Sequence, residues 1–122
     1  MNASRVFRGA REVTAVAPGD RGLAYGDGLF ETMRVHRGTL PWWDAHWARL
    51  KLGAARLGIG VPDPAQARAC AESLFADGGD GVLKLLLTRG SGGRGYAPDA
   101  AQAPTWIVSR HPLPSAVPGG LA

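Results

Sequence analysis

Between Gly28 and Gly58 the apolar rhythm of the chain changes once, and that change commits it to a mixed fold. The run Gly28–His36 interleaves Leu29, Phe30, Thr32, Met33 and Val35, residue types that favour a pleated strand. Arg37-Gly38 offers a tight turn into Thr39–Trp43, which predicts a hairpin. Asp44 stands where a helix N-cap belongs, accepting from the free amides of the first turn. Trp47, Leu50, Ala54 and Leu57 then follow at spacings of three, four and three, one stripe of an amphipathic helix. Gly58 is placed to end that helix.

The rest of the chain extends the same alternation. Residues 4–8 and 11–16 read as two short strands around Gly9. A second helix is predicted from about Pro64 to Phe75, with Asp63 as its cap and Pro64 in its first turn. Asp77-Gly78-Gly79-Asp80-Gly81 breaks it. Val82–Thr88 is apolar with little alternation, which predicts a strand buried on both faces. Gly90–Gly95 is a loop and Thr105–Ser109 a further strand. The tail Pro112–Ala122, with three prolines and two glycines, reads as a linker. The sum is an α+β fold, a mainly antiparallel sheet with two helices, over residues 1–111.

A chain of 122 residues is one domain's worth and can bury a core. Hydrophobic residues at 45% and charged residues at 20% exclude wholesale disorder. The net charge of +4 raises nucleic acid as a partner, but the basic residues are scattered singly and form no run. Cys70 is the only cysteine, so no intrachain disulfide is expected, which fits a reducing cytoplasm. No apolar stretch reaches the roughly 20 residues of a membrane span. His36, His46 and His111 lack metal-ligand spacing. Cys70, among Ala69, Ala71 and Leu74, reads as a small buried hydrophobe.

Gly90-Ser91-Gly92-Gly93-Arg94-Gly95 satisfies the dinucleotide pattern GxGxxG, yet that site needs a helix starting there. Pro98 and Pro104 follow instead, so no nucleotide crossover is expected. Three segments taken together resemble the first domain of fold-type-IV pyridoxal-phosphate enzymes, most closely the aminodeoxychorismate lyases. They are DRGLAYGDGLFETMRV from Asp20, His46-x-x-Arg49-Leu50, and RGSGGRGY at Arg89–Tyr96. The resemblance implies cofactor binding by Arg49, as the donor to the pyridoxal 5'-phosphate group. It implies substrate binding by Arg94 as a carboxylate clamp, by Tyr96 as its hydrogen-bonding neighbour, and by the Phe30 ring. A guanidinium suits both anion roles because its planar fork donates two parallel hydrogen bonds.

Arg89 reads as a solvated strand end, and His46 as structural. Glu31 is expected to face away from Phe30 because strand side chains alternate, with a structural ion pair as its plainest role. The resemblance further implies a homodimer and a second domain carrying the Schiff-base lysine. Neither Lys51 nor Lys84 matches that position, so no catalytic residue is expected in this chain. The implied substrate is aminodeoxychorismate, converted to 4-aminobenzoate and pyruvate for folate synthesis. Two alternatives remain open: a branched-chain or D-amino-acid transaminase of the same fold, and a non-catalytic domain that dimerises or binds RNA.

Overall fold

The computed structural model describes residues 3–91 and 103–114. Arg94, Tyr96 and the last eight residues of the Pro112–Ala122 tail lie outside the described residues. The elements run β1 (Ser4–Arg8), β2 (Arg11–Val13), α1 (Arg21–Tyr25), β3 (Gly28–Val35), α2 (Trp43–Leu57), α3 (Pro64–Ser73), β4 (Gly81–Thr88) and β5 (Thr105–His111). The strands form one sheet in the order β2-β1-β5-β4-β3, every neighbouring pair antiparallel. This is the expected α+β architecture, with a third, short helix added.

One face of the sheet is the core. Phe7, Met33, Val35, Leu83, Leu85, Leu87, Trp106 and Val108 pack with Leu50 and Ala54 of α2 and Ala67 and Ala71 of α3. Phe7 stacks on Trp106 with ring centroids 4.1 Å apart, and the Trp106 indole N–H donates to the Gly9 carbonyl at 2.7 Å. Each fully buried Leu or Val stabilises the fold by about 1.5–3 kcal/mol.

α3 forms as expected: Asp63 accepts from the Gln66 amide at 2.9 Å and Pro64 opens the helix. Gly58 closes α2 in the left-handed region, at φ 69°. The cap of α2 differs from expectation. The helix begins at Trp43, the N-cap is Trp42, and Asp44 lies inside the first turn. Its buried stripe is correspondingly Trp43, Leu50 and Ala54 with Trp47 half-buried, while Leu57 at the open end is exposed.

The hairpin after β3 is also absent. Arg37 and Gly38 do adopt the two positive φ values of a tight turn, 48° and 77°, but the returning chain pairs only at His36↔Thr39. Leu40 then turns into the core and Pro41 has no amide to donate, so β3 takes β4 as its partner. β4 corrects a third expectation. It is fully buried along the Leu83–Leu85–Leu87 side, whereas on the other side Val82, Lys84 and Leu86 are half-buried and Thr88 alone is buried. Both long helices lie on one side of the sheet, and the described residues leave much of the other side open. No helix among the described residues is long and apolar enough to cross a membrane.

Candidate functional site

The open face of the sheet is defined by register. Phe30, Thr32 and Arg34 of β3 pair with Leu86, Lys84 and Val82 of β4, and these with Ile107, Ser109 and His111 of β5. Val6 and Arg8 of β1 continue the face, then Val13 and Arg11 of β2. Toward the α1 end it sinks into a hollow of about 420 Å³ lined by Val16, Leu23, Phe30, Leu86, Thr88 and Ile107. Lys84 Nζ stands 4.8 Å from the centre of the Phe30 ring, within reach of its negative face. Within the strands this face carries Arg8, Arg11, Arg34 and Lys84 and no acidic side chain. Asp80, in the turn just before β4, is the acid near Arg34, whose charge helps hold the Asp80 carboxyl below its usual range after the larger effect of the Arg37 amide.

Two hydrogen-bonded clusters flank β3, one at the rim of the hollow and one on the helix side. In the first, Asp20 caps α1 by accepting from the Gly22 amide at 2.9 Å, and the same Oδ1 receives the Thr88 hydroxyl at 2.7 Å. Thr88 in turn accepts from the Gly90 amide at 3.0 Å, and the Arg21 amide donates to the Gly90 carbonyl at 2.8 Å. Asp27 receives Arg21 Nε at 3.1 Å and Arg89 Nε at 2.7 Å. Arg89 also donates to the carbonyls of Leu57 and Gly58, closing the free end of α2. Arg89, just past β4, is therefore a clamp between the end of α2 and Asp27, not a solvated strand end. Its hydrogen bonds hold the Asp27 carboxyl below its usual range, against burial and together with Arg21.

The second cluster lies at the β3 edge, on the helix side. Glu31 is 7% exposed and receives Arg49 Nη2 at 2.7 Å, Arg49 Nε at 2.9 Å and His46 Nδ1 at 2.7 Å. Burial alone would raise the Glu31 carboxyl, but the hydrogen bonds from Arg49 and then His46 outweigh it and hold the group low. Glu31 and Phe30 thus face opposite ways, as strand alternation requires.

Of the residues expected to bind ligands, the structure places Phe30 in the hollow, 57% exposed. Arg49 sits on α2 with its side chain 69% exposed and its fork on Glu31. Arg94 and Tyr96 fall outside the described residues, beyond Ser91. Sequence reasoning missed Lys84 and Thr32 as members of the face, because pairing between β3 and β4 is set by the sheet and not by local pattern. Among the described residues no group of three His, Cys, Asp or Glu side chains is placed to hold a metal ion.

Residues 28–119 match the family described as Amino-transferase class IV. The chain is 34% identical over 102 residues to an aminodeoxychorismate lyase of Vibrio harveyi, covering 84% of this chain and 38% of the relative. It is 35% identical over 106 residues to a D-alanine aminotransferase of Bacillus licheniformis, again covering 84% and 38%. Its structure is similar to that of 4-amino-4-deoxychorismate lyase from Pseudomonas aeruginosa, with a TM-score of 0.78 and 42% identity over 97% of this chain and 42% of that one. A fold IV-transaminase from Curtobacterium pusillum gives 0.72 and 27%, over 92% of this chain and 43% of that one. The chain spans about two-fifths of the length of these relatives. With three-quarters of its residues inside the family match and its sheet and helices laid out as in these enzymes, the chain belongs to the class-IV aminotransferase family.

Proposed function

We propose that this chain is the first domain of a pyridoxal-phosphate enzyme of the aminodeoxychorismate lyase type. The observation that carries the choice of lyase is the 42% identity to the Pseudomonas lyase over 97% of this chain, against 27% to the fold IV-transaminase. 4-Amino-4-deoxychorismate carries one carboxylate on its ring and a second on its enolpyruvyl ether, and the face offers Lys84 beside a mainly apolar hollow whose lining includes the buried Asp20.

In this reading Phe30 packs on the substrate ring, Lys84 and Arg94 receive its carboxylates, Tyr96 donates beside Arg94, and Arg49 meets the cofactor phosphate. The chemistry of Arg49 fits the phosphate of that cofactor: with Nε and Nη2 on Glu31, its guanidinium keeps an outer edge exposed to an anion. The cofactor, when bound, supplies the electron sink, while the protein binds and orients. Lys51 follows Arg49 by two helical positions, so the two point about 200° apart. Lys84 is turned onto Phe30. The lysine that would hold the cofactor is placed in a second domain by the family resemblance, and the working protein is proposed to be a cytoplasmic homodimer.

The test completes this chain with the remaining residues of the Pseudomonas lyase and supplies aminodeoxychorismate. Release of 4-aminobenzoate is expected, with a KM raised roughly 10-fold or more in Lys84→Met, the loss of one charge-assisted hydrogen bond. Amino transfer from D-alanine without any 4-aminobenzoate would instead establish the transaminase. The 122-residue chain alone is expected to trap no stoichiometric cofactor adduct on borohydride reduction; a full adduct on Lys84 would sink the second-domain reading.

A further inference from the structure

Glu31 is a buried acid on the core face of β3, and among the described residues its side-chain partners are His46 and Arg49 of α2. His46 and Arg49 stand three residues apart, on one side of the helix, and both converge on it. The carboxylate is itself immobile, because its strand is locked in register with β4 at Glu31↔Leu85 and His46 grips Oε1 at 2.7 Å. Arg49 is the opposite case. Its side chain is 69% exposed, and the fork to Glu31 is what fixes its direction.

We infer that Glu31 is a positioning residue for an anion site on Arg49. It engages the inner edge, Nε and Nη2, so that the outer edge of the guanidinium is held out to a phosphate group. The inference rests on the phosphate reading of Arg49 and goes beyond it by assigning the group that sets its geometry.

Glu31 acts on such an anion in two opposing ways. It aligns the donor, which favours binding, and it offsets the arginine's charge, which disfavours it. The charge effect comes from a buried carboxylate and acts over less than the Debye length of about 8 Å, so salt screens it only in part. Alignment is a matter of rotamers and survives salt. Alignment is proposed as the larger effect, and Glu31→Asp, which keeps the charge, isolates it.

The 122-residue chain, labelled with ¹⁵N, is titrated with inorganic phosphate at constant ionic strength set by chloride. The readouts are the Arg49 Nε–Hε signal and the backbone amides of α2. The wild type is expected to shift saturably, and Arg49→Lys to show no saturable shift. Glu31→Gln is expected to need several-fold more phosphate while its remaining amide signals stay folded. Glu31→Asp separates the two effects, since it keeps the charge but withdraws the fork by one methylene, and it is expected to weaken binding as well. Phosphate affinity in both variants equal to or tighter than wild type overturns the positioning role and leaves Arg49's phosphate role standing. Absence of a phosphate-specific shift in the wild type removes the phosphate role, and this inference with it.

Discussion

At Asp27 one carboxylate receives two arginines, and the arrangement makes a pH prediction with a definite sign. Its folded pKa is depressed, by Arg89 chiefly, against burial and with Arg21. The stability it contributes is present above the unfolded value, about 3.9, and is lost as pH falls through the folded pKa. Asp27→Asn is expected to cost about 1.5–3 kcal/mol at pH 7, the worth of a charge-assisted hydrogen bond. Urea unfolding at pH 7 and pH 3 should show the gap between wild type and variant narrowing in acid. A gap of the same size at both pH values contradicts the ion-pair account. Local sequence does not reveal this cluster: Arg21, Asp27 and Arg89 meet because α1, β3, β4 and the end of α2 converge on one corner.

Among the elements, the two long helices offer a controlled comparison of caps. Asp63 accepts the Gln66 amide, so Asp63→Ala is expected to cost about 1 kcal/mol. Asp44 lies within the first turn of α2, where its charge meets only the helix dipole, and Asp44→Ala should cost a few tenths to about 1 kcal/mol. Denaturant midpoints that reverse this order would restore Asp44 as the cap. The turn at Gly38 is more demanding. A Cβ there would lie 2.9 Å from the Phe75 carbonyl oxygen on a backbone with φ 77°, so Gly38→Ala should destabilise measurably by both routes. The sequence showed the turn residues correctly and the strand after them wrongly, because partner choice is a property of the sheet.

For the whole molecule, the open face decides behaviour in solution. Leu23 of α1 and Phe30 of β3 line the hollow and are exposed by 68% and 57%. At the start of α2, Leu40 and Trp43 are buried at 2% and 4%, and Trp42 is exposed. The isolated chain is expected to self-associate through the open face as its concentration rises. Sedimentation should show Phe30→Asp shifted toward monomer and Trp42→Asp unchanged; the reverse pattern would move the surface to the start of α2.

The sequence by itself determined the segments of β1, β3, β4, β5, α2 and α3, where α3 begins and where α2 ends, though not α1. It also carried the motifs that place the chain in its family. These are local properties: apolar period, capping side chains and glycines at positive φ act within a few residues. Only the tertiary structure decided that β3 pairs with β4 rather than with the segment after its turn, and that β4 is sealed on one face alone. It also decided that Lys84 stands over Phe30, that Glu31 gathers His46 and Arg49, and that Arg89 locks the end of α2 to Asp27. Each of those depends on residues 15 to 62 positions apart or on strand register. Strand register is chosen by burying one whole face of the sheet against two helices, a condition that no short stretch of sequence contains.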